Sequence, residues 1–135
     1  MTRAAAREAP KVLDGAKVLV IDDEPEVRAG MRTLLEYLGC RVAVCGGYAE
    51  AERLLDERAL EVDLIIADFR LRRHENGIDT VRRLRARLGQ VPALLVSGDT
   101  APERLREARS SGLPLLHKPV SADKLMETML AALQS

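Results

Sequence analysis

The chain has 135 residues, 47% of them hydrophobic and 31% charged, which is the composition of one globular domain and excludes a largely disordered chain. Its 21 basic and 21 acidic side chains cancel, so no global charge directs it to nucleic acid or to an anionic membrane. No apolar run approaches the roughly 18 to 20 residues of a membrane span, and no charged-then-apolar leader precedes the first apolar segment. A cytoplasmic protein is expected, with no membrane contact and no direct nucleic-acid partner. Cys40 and Cys45 lack zinc-ligand spacing and are expected to be free thiols.

Residues 1–15 are rich in Ala and Arg, carry Pro10 and Gly15, and read as a flexible tail or linker, leaving 16–135 as the domain. Val18 to Ile21 is a short aliphatic run, the pattern of a strand buried on both faces. It ends in Asp22, Asp23 and Glu24, and Pro25 suits the first turn of a helix. Val27, Met31, Leu34, Leu35 and Leu38 then recur at helical spacing up to Gly39. Arg41 to Cys45 alternates with period two, as a strand nearer a sheet edge does.

Beyond the Gly46-Gly47 turn, residues 48–59 place Ala51, Leu54, Leu55 and Ala59 on one helix face. Asp63 to Asp68 repeats the opening pattern of an aliphatic run closed by an acid. A charged loop from Arg70 to Asn76 leads to a third helix marked by Ile78, Val81, Leu84 and Leu88. Pro92 to Ser97 is a further apolar strand, ending in a hydroxyl. Leu105 and Ala108 mark a weakly apolar helix, Pro114 to Pro119 a last short strand, and Leu125, Met129 and Leu133 the final helix.

Five alternations of strand and helix call for an α/β fold, a doubly wound parallel sheet with helices on both faces. In the order 2-1-3-4-5, ligands bind at the carboxyl ends of strands one and three. Those are the two strands that end in acids. The same edge collects Asp22, Asp23, Asp68, Ser97 and Lys118. Carboxylates with one open face suit a hard cation such as magnesium, a lysine neutralises acids or a phosphoryl oxygen, and Asp68 can attack phosphorus without a base. Taken singly these residues are weak signals: a helix-start acid pair, a loop acid, a turn serine. The arginines from Arg70 to Arg87 read as a solvated helix face, and His74 and His117 as surface residues rather than ligands.

The four motifs together, IDDEP after VLV, Asp68 after LIIA, Ser97-Gly98 after ALLV, and Lys118-Pro119 after LLH, resemble the receiver domain of two-component response regulators over about residues 16–134. The resemblance implies a flavodoxin-like fold and transfer of a phosphoryl group to Asp68 from a histidine kinase or a histidine phosphotransfer protein. It implies Mg2+ held by Asp23, Asp68 and the Arg70 backbone carbonyl, with Asp22 acting through water. Lys118 would contact the phosphoryl group, Ser97 would be the switch hydroxyl, and Lys118–Pro119 would be cis.

Two departures stand out. The loop after Asp68 has no proline and is one residue longer than usual, and Leu115 occupies the place of the aromatic that swings with the switch hydroxyl. Arg70 and Asp99 are expected on facing loops over the pocket; if they pair, they would restrict in-line water and lengthen the life of an acyl phosphate. The Leu115 to Ser121 run is similar to receivers at the carboxyl end of hybrid sensor kinases, and a homodimer through the last two helices stays open. Two other functions compete. A magnesium phosphohydrolase with an aspartyl nucleophile would need a general acid where Arg70 stands, and a phosphorylation-independent interaction module would have no use for the intact acid, hydroxyl and lysine set.

Overall fold

A computed structural model of the chain describes residues 13–71, 75–99 and 101–134. Its strands are β1 (Lys17–Ile21), β2 (Arg41–Cys45), β3 (Leu64–Asp68), β4 (Ala93–Ser97) and β5 (Leu115–His117). Between and after them run α1 (Pro25–Tyr37), α2 (Tyr48–Arg58), α3 (Gly77–Leu88), α4 (Pro102–Ser111) and α5 (Ala122–Gln134). The strands form one parallel sheet in the order β2-β1-β3-β4-β5, as the alternation and the resemblance lead one to expect.

The continuous aliphatic runs are explained by what each face of the sheet meets. In β1, Val18 and Val20 point to one face and Leu19 and Ile21 to the other; β3 divides Leu64 and Ile66 from Ile65 and Ala67 in the same way. The first set packs with Met31 and Leu35 of α1 and Leu125 and Met129 of α5. The second packs with Ala51 and Leu55 of α2, Val81 and Leu84 of α3 and Ala108 of α4. A polar residue on either side of a central strand would therefore be buried, and none occurs before the strand ends. Strand β2 is one edge of the sheet, opposite β5, and its middle residues are only half-buried.

Some boundaries differ from the sequence reading. Leu13 is fully buried against the α1–α5 face, and the Gly15 amide donates to the Gly39 carbonyl at 2.7 Å, so the packed chain reaches into the segment read as a tail. Helix α2 stops at Arg58, with Ala59 in the left-handed region at φ 47°. Helix α3 starts at Gly77, capped by the Asn76 side chain, which accepts from the Asp79 amide at 2.9 Å. His74 and the tip of its loop lie outside the described residues. The Lys118–Pro119 bond is cis, and both cysteines are buried free thiols.

Gly77 positions the site directly. A Cβ there would lie 2.4 Å from the Asp68 carbonyl oxygen, so the start of α3 is pressed against the end of β3. We expect Gly77→Ala to destabilise the domain by about 1–3 kcal/mol in a urea titration, the usual result of forcing an extra methyl into packed backbone. Gly30, on the open side of α1 with nothing within 4 Å of its added Cβ, is the control. There alanine should stabilise by up to about 1 kcal/mol. Equal effects at the two positions would refute the close approach.

Candidate functional site

The carboxyl ends of β1, β3, β4 and β5 deliver the functional groups. At the end of β1, Asp22 is only 4% exposed, its amide donates to the Cys45 carbonyl at 3.0 Å, and its Oδ1 accepts from the Glu24 amide at 2.9 Å. At the end of β3, Asp68 is 6% exposed and its Oδ1 accepts from the Arg70 amide at 3.2 Å. Past β5, the Lys118 amide donates to the Ser97 carbonyl at 2.9 Å, which aims the lysine side chain back over the sheet edge. Its ammonium then donates to Asp68 Oδ2 at 3.0 Å and to Asp22 Oδ2 at 3.2 Å, with Glu24 Oε1 at 3.7 Å.

Two buried carboxylates sharing one ammonium set the electrostatics. Burial pushes the Asp68 carboxyl up from the ordinary aspartate range to about 6; the hydrogen bond from Lys118 opposes this and the neighbouring Asp22 adds to it. For Lys118, burial disfavours the charged form, but the hydrogen bonds and attraction of Asp68 and Asp22 outweigh it and raise its pKa.

Oxygens of Asp22, Asp23, Glu24 and Asp68 come within 4.8 Å of one another. This all-oxygen, multiply anionic set, with two members buried, one half-buried and Glu24 open to solvent, has the chemistry of a site for a hard divalent cation. Glu24 is the one member the sequence reading did not single out. The adjacent opening, about 540 Å3, is lined by Glu24, Asp68, Arg70, Ser97, Gly98, Asp99 and Lys118. A larger cavity of about 710 Å3 runs along β2, but its charged lining, from Lys17 to Glu61, gathers no such carboxylate set.

Ser97 is 2% exposed, and its Oγ accepts from the Asp99 amide at 2.9 Å. Asp99 is the hub of the facing loop. Its Oδ2 accepts from Arg70 Nη1 at 3.2 Å and lies 3.7 Å from Arg104 Nε, while its Oδ1 accepts from the Ala101 amide at 2.9 Å. Mainly that amide, helped by Arg70 and Arg104, holds the Asp99 carboxyl below its usual range. The pairing of Arg70 with Asp99 across the opening is thus present. Arg70 itself stands beside Asp68 through its amide and through an antiparallel bridge to Asn76.

The remaining sequence candidates fall outside the site. Leu115 is half-buried against the α2–α4 side of the core, and His117 is exposed. Two of the four arginines of α3 face α2: Arg87 pairs with Asp56 and Glu52, and the Arg83 guanidinium lies 3.7 Å over the Tyr48 ring; Arg82 pairs with Asp79 within α3, and Arg85 donates to the Val91 carbonyl. Among the described residues no helix is long and apolar enough to cross a membrane.

Known proteins resemble this chain in sequence and in fold. The sequence matches the family described as response regulator receiver domain over residues 18–130. It is 31% identical over 117 residues to the transcriptional regulatory protein ZraR of Salmonella typhimurium, covering 86% of this chain and 26% of that protein. It is 30% identical over 110 residues to the alginate biosynthesis transcriptional regulatory protein AlgB of Pseudomonas aeruginosa, covering 81% of this chain and 24% of that one. The chain thus spans about a quarter of the length of these relatives.

Among solved structures, a response regulator receiver domain protein from Clostridium thermocellum is similar at a TM-score of 0.76 and 27% identity, over 88% of this chain and 94% of that one. The chemotaxis response regulator CheY4 of Vibrio cholerae is similar at a TM-score of 0.72 and 26% identity, over 87% and 98%. With the family matched along most of its length and the acids, hydroxyl and lysine gathered at one sheet edge, the chain belongs to the receiver domains of two-component response regulators.

Proposed function

We propose that Asp68 accepts a phosphoryl group from a phosphohistidine and that the domain switches conformation in response. The observation that carries this reading is the Lys118 ammonium bridging the buried carboxylates Asp22 and Asp68 at the ends of adjacent strands. An Asp68 oxygen attacks phosphorus, the P–N bond to the donor imidazole breaks, and that imidazole leaves with the electron pair and takes up a proton. With a pKa near 6, Asp68 is mostly ionised at neutral pH and needs no base.

Mg2+, when bound, offsets the negative charge on the transferring phosphoryl oxygens; it would be held by Asp23, Asp68 and the Arg70 carbonyl, with Asp22 through water and Glu24 within reach. Lys118 then turns its ammonium from Asp68 to a phosphoryl oxygen, and the Ser97 hydroxyl turns its proton from the Asp99 carbonyl, 3.5 Å away, to another phosphoryl oxygen. Leu115 has no ring to swing, so the loop carrying Asp99 is the element that moves with Ser97. The donor is a histidine kinase or histidine phosphotransfer protein of the same cytoplasm. The Leu115 to Ser121 run supports a place in a hybrid sensor kinase.

The test is incubation with acetyl phosphate, with and without magnesium, followed by intact mass. A single phosphate increment that needs magnesium and is absent from Asp68→Asn is expected. No increment under any condition would favour the interaction module. Continuous phosphate release would favour a hydrolase, although the position for its general acid holds Arg70, paired to Asp99.

That pair gives a second expectation. Arg70 is 65% and Asp99 21% exposed at the side chain, so solvent screens the pair and its effect is on the access of water to phosphorus rather than on stability. Arg70→Ala should shorten the acyl-phosphate lifetime by up to about fivefold, read as the decay of the increment after desalting, with unfolding unchanged. An unaltered lifetime would discard the shielding role.

A further inference from the structure

Asp22 is tied at every polar atom, and three of its four ties come from groups already placed in the site or in the sheet. The fourth comes from α1: Arg28 Nη1 donates to the Asp22 carbonyl at 2.9 Å. This bond fills a gap the sequence creates. The carbonyl lies past the last β1 pairing with β3, at Ile21 and Ala67, so no strand partner reaches it. A tight turn would satisfy it with the amide of the residue three positions on, but that residue is Pro25, which has none.

The guanidinium has been given room to do this. It lies beside the β2–α2 turn, where a Cβ on Gly46 would come 3.0 Å from Nη1, and the Gly46 amide is itself fixed by Glu50 at 2.9 Å. Arg28 and Asp23 line the same cavity, about 410 Å3, with Gly46, Gly47 and Glu50. The Asp22 carbonyl and the Asp23 amide belong to one rigid peptide plane, so whatever orients the first orients the second. From that plane the Asp23 side chain departs toward Asp22, Glu24 and Asp68.

We infer that Arg28 is a positioning residue: by holding the Asp22–Asp23 peptide plane it sets the direction of the Asp23 carboxylate, and with it the affinity of the acidic cluster for a divalent cation. The inference rests on the receiver reading, but it concerns a residue that touches neither phosphorus nor metal. Groups that orient metal-binding side chains change metal affinity by about 10- to 100-fold when removed, so the effect is large enough to measure.

The experiment is calorimetric titration of the metal-free protein with magnesium chloride, for wild type, Arg28→Ala, Arg28→Lys and Gly46→Ala, with thermal unfolding of each recorded before metal is added. Arg28→Ala should bind magnesium about tenfold more weakly. Arg28→Lys, which keeps one donor within reach, should recover most of the affinity. Phosphorylation by acetyl phosphate should be slowed in Arg28→Ala at low magnesium and return to the wild-type rate at saturation, because Asp68 and Lys118 are untouched.

If Arg28→Ala does not fold, Gly46→Ala carries the same test by pressing a methyl group on the guanidinium, and its affinity should fall in the same direction. Folded variants with wild-type affinity would overturn the inference, as would a rate deficit that saturating magnesium leaves in place. Failure of the wild type itself to bind magnesium would remove the magnesium-dependent phosphoacceptor reading and this inference together. Unchanged binding in the variants removes the inference alone.

Discussion

Lys118→Met is expected to destabilise the metal-free domain by about 3–5 kcal/mol at pH 7.5, the range for removing one partner of a buried charge pair. The figure follows from what the ammonium serves. Asp22 and Asp68 are 4% and 6% exposed, and Lys118 is within hydrogen-bond distance of both. Methionine fills the same channel, so packing changes little. What is lost is the one cation that contacts both acids among the described residues. The deficit should shrink as the pH is lowered toward 6, because without the ammonium, which opposes its upward shift, Asp68 takes up a proton at a higher pH than in the wild type and then no longer requires a cation. Millimolar magnesium should restore part of the stability at pH 7.5 by binding the folded state alone. Urea titrations at pH 7.5 and 5, with and without magnesium, measure all three effects. A deficit below about 1 kcal/mol, or one independent of both pH and magnesium, would show that the bridge is not an electrostatic linchpin.

How far this site was legible before the structure depends on where the information resides. Lys118 could be placed because it follows directly on a strand, and in a parallel sheet the strand ends define one edge. The same reasoning brought Asp22, Asp68 and Ser97 to that edge, where Lys118 contacts the two carboxylates and the Ser97 carbonyl. The pairing of Arg70 with Asp99 followed from each standing two residues past a strand end on neighbouring strands. Arg104 joining that pair did not, since it depends on how α4 enters. Glu24 was visible as a third acid, but the chain turns from strand to helix there and no period predicts which carboxylate faces inward. Arg28 was hidden for a different reason: its partner is a backbone carbonyl, which every residue possesses and no pattern marks. Leu13 was misread because one leucine among Ala, Arg and Pro has no periodic companion. Its burial is set by a contact of the adjoining turn with Gly39, distant in sequence.

Asp68→Asn should make the metal-free domain more stable at pH 7.5, by about 1–3 kcal/mol, and the gain should vanish below about pH 4. The sign follows from the shift. Burial, reinforced by Asp22 and opposed by Lys118, raises the Asp68 carboxyl from 3.8 to about 6 in the folded chain. Between those values the folded state holds a proton that the unfolded state has released. The stability this group contributes is therefore fully present below about pH 4, declines as the pH rises, and is gone above about 6. Asparagine is neutral throughout and still offers an oxygen to Lys118 and to the Arg70 amide, so it avoids the burial of a charge while keeping the geometry. Adding magnesium should erase or reverse the gain, since the wild-type carboxylate then has a cation to bind and asparagine is a poorer ligand. Chemical denaturation at pH 4 and 7.5 provides the measurement. A stability difference equal at the two pH values would mean that Asp68 is not a carboxylate held against its own solvation. The same variant that cannot be phosphorylated would then owe nothing in stability to the missing charge. The contrary result, a pH-dependent gain that magnesium cancels, would show that the domain gives up folding stability in order to keep an anion ready at the end of β3.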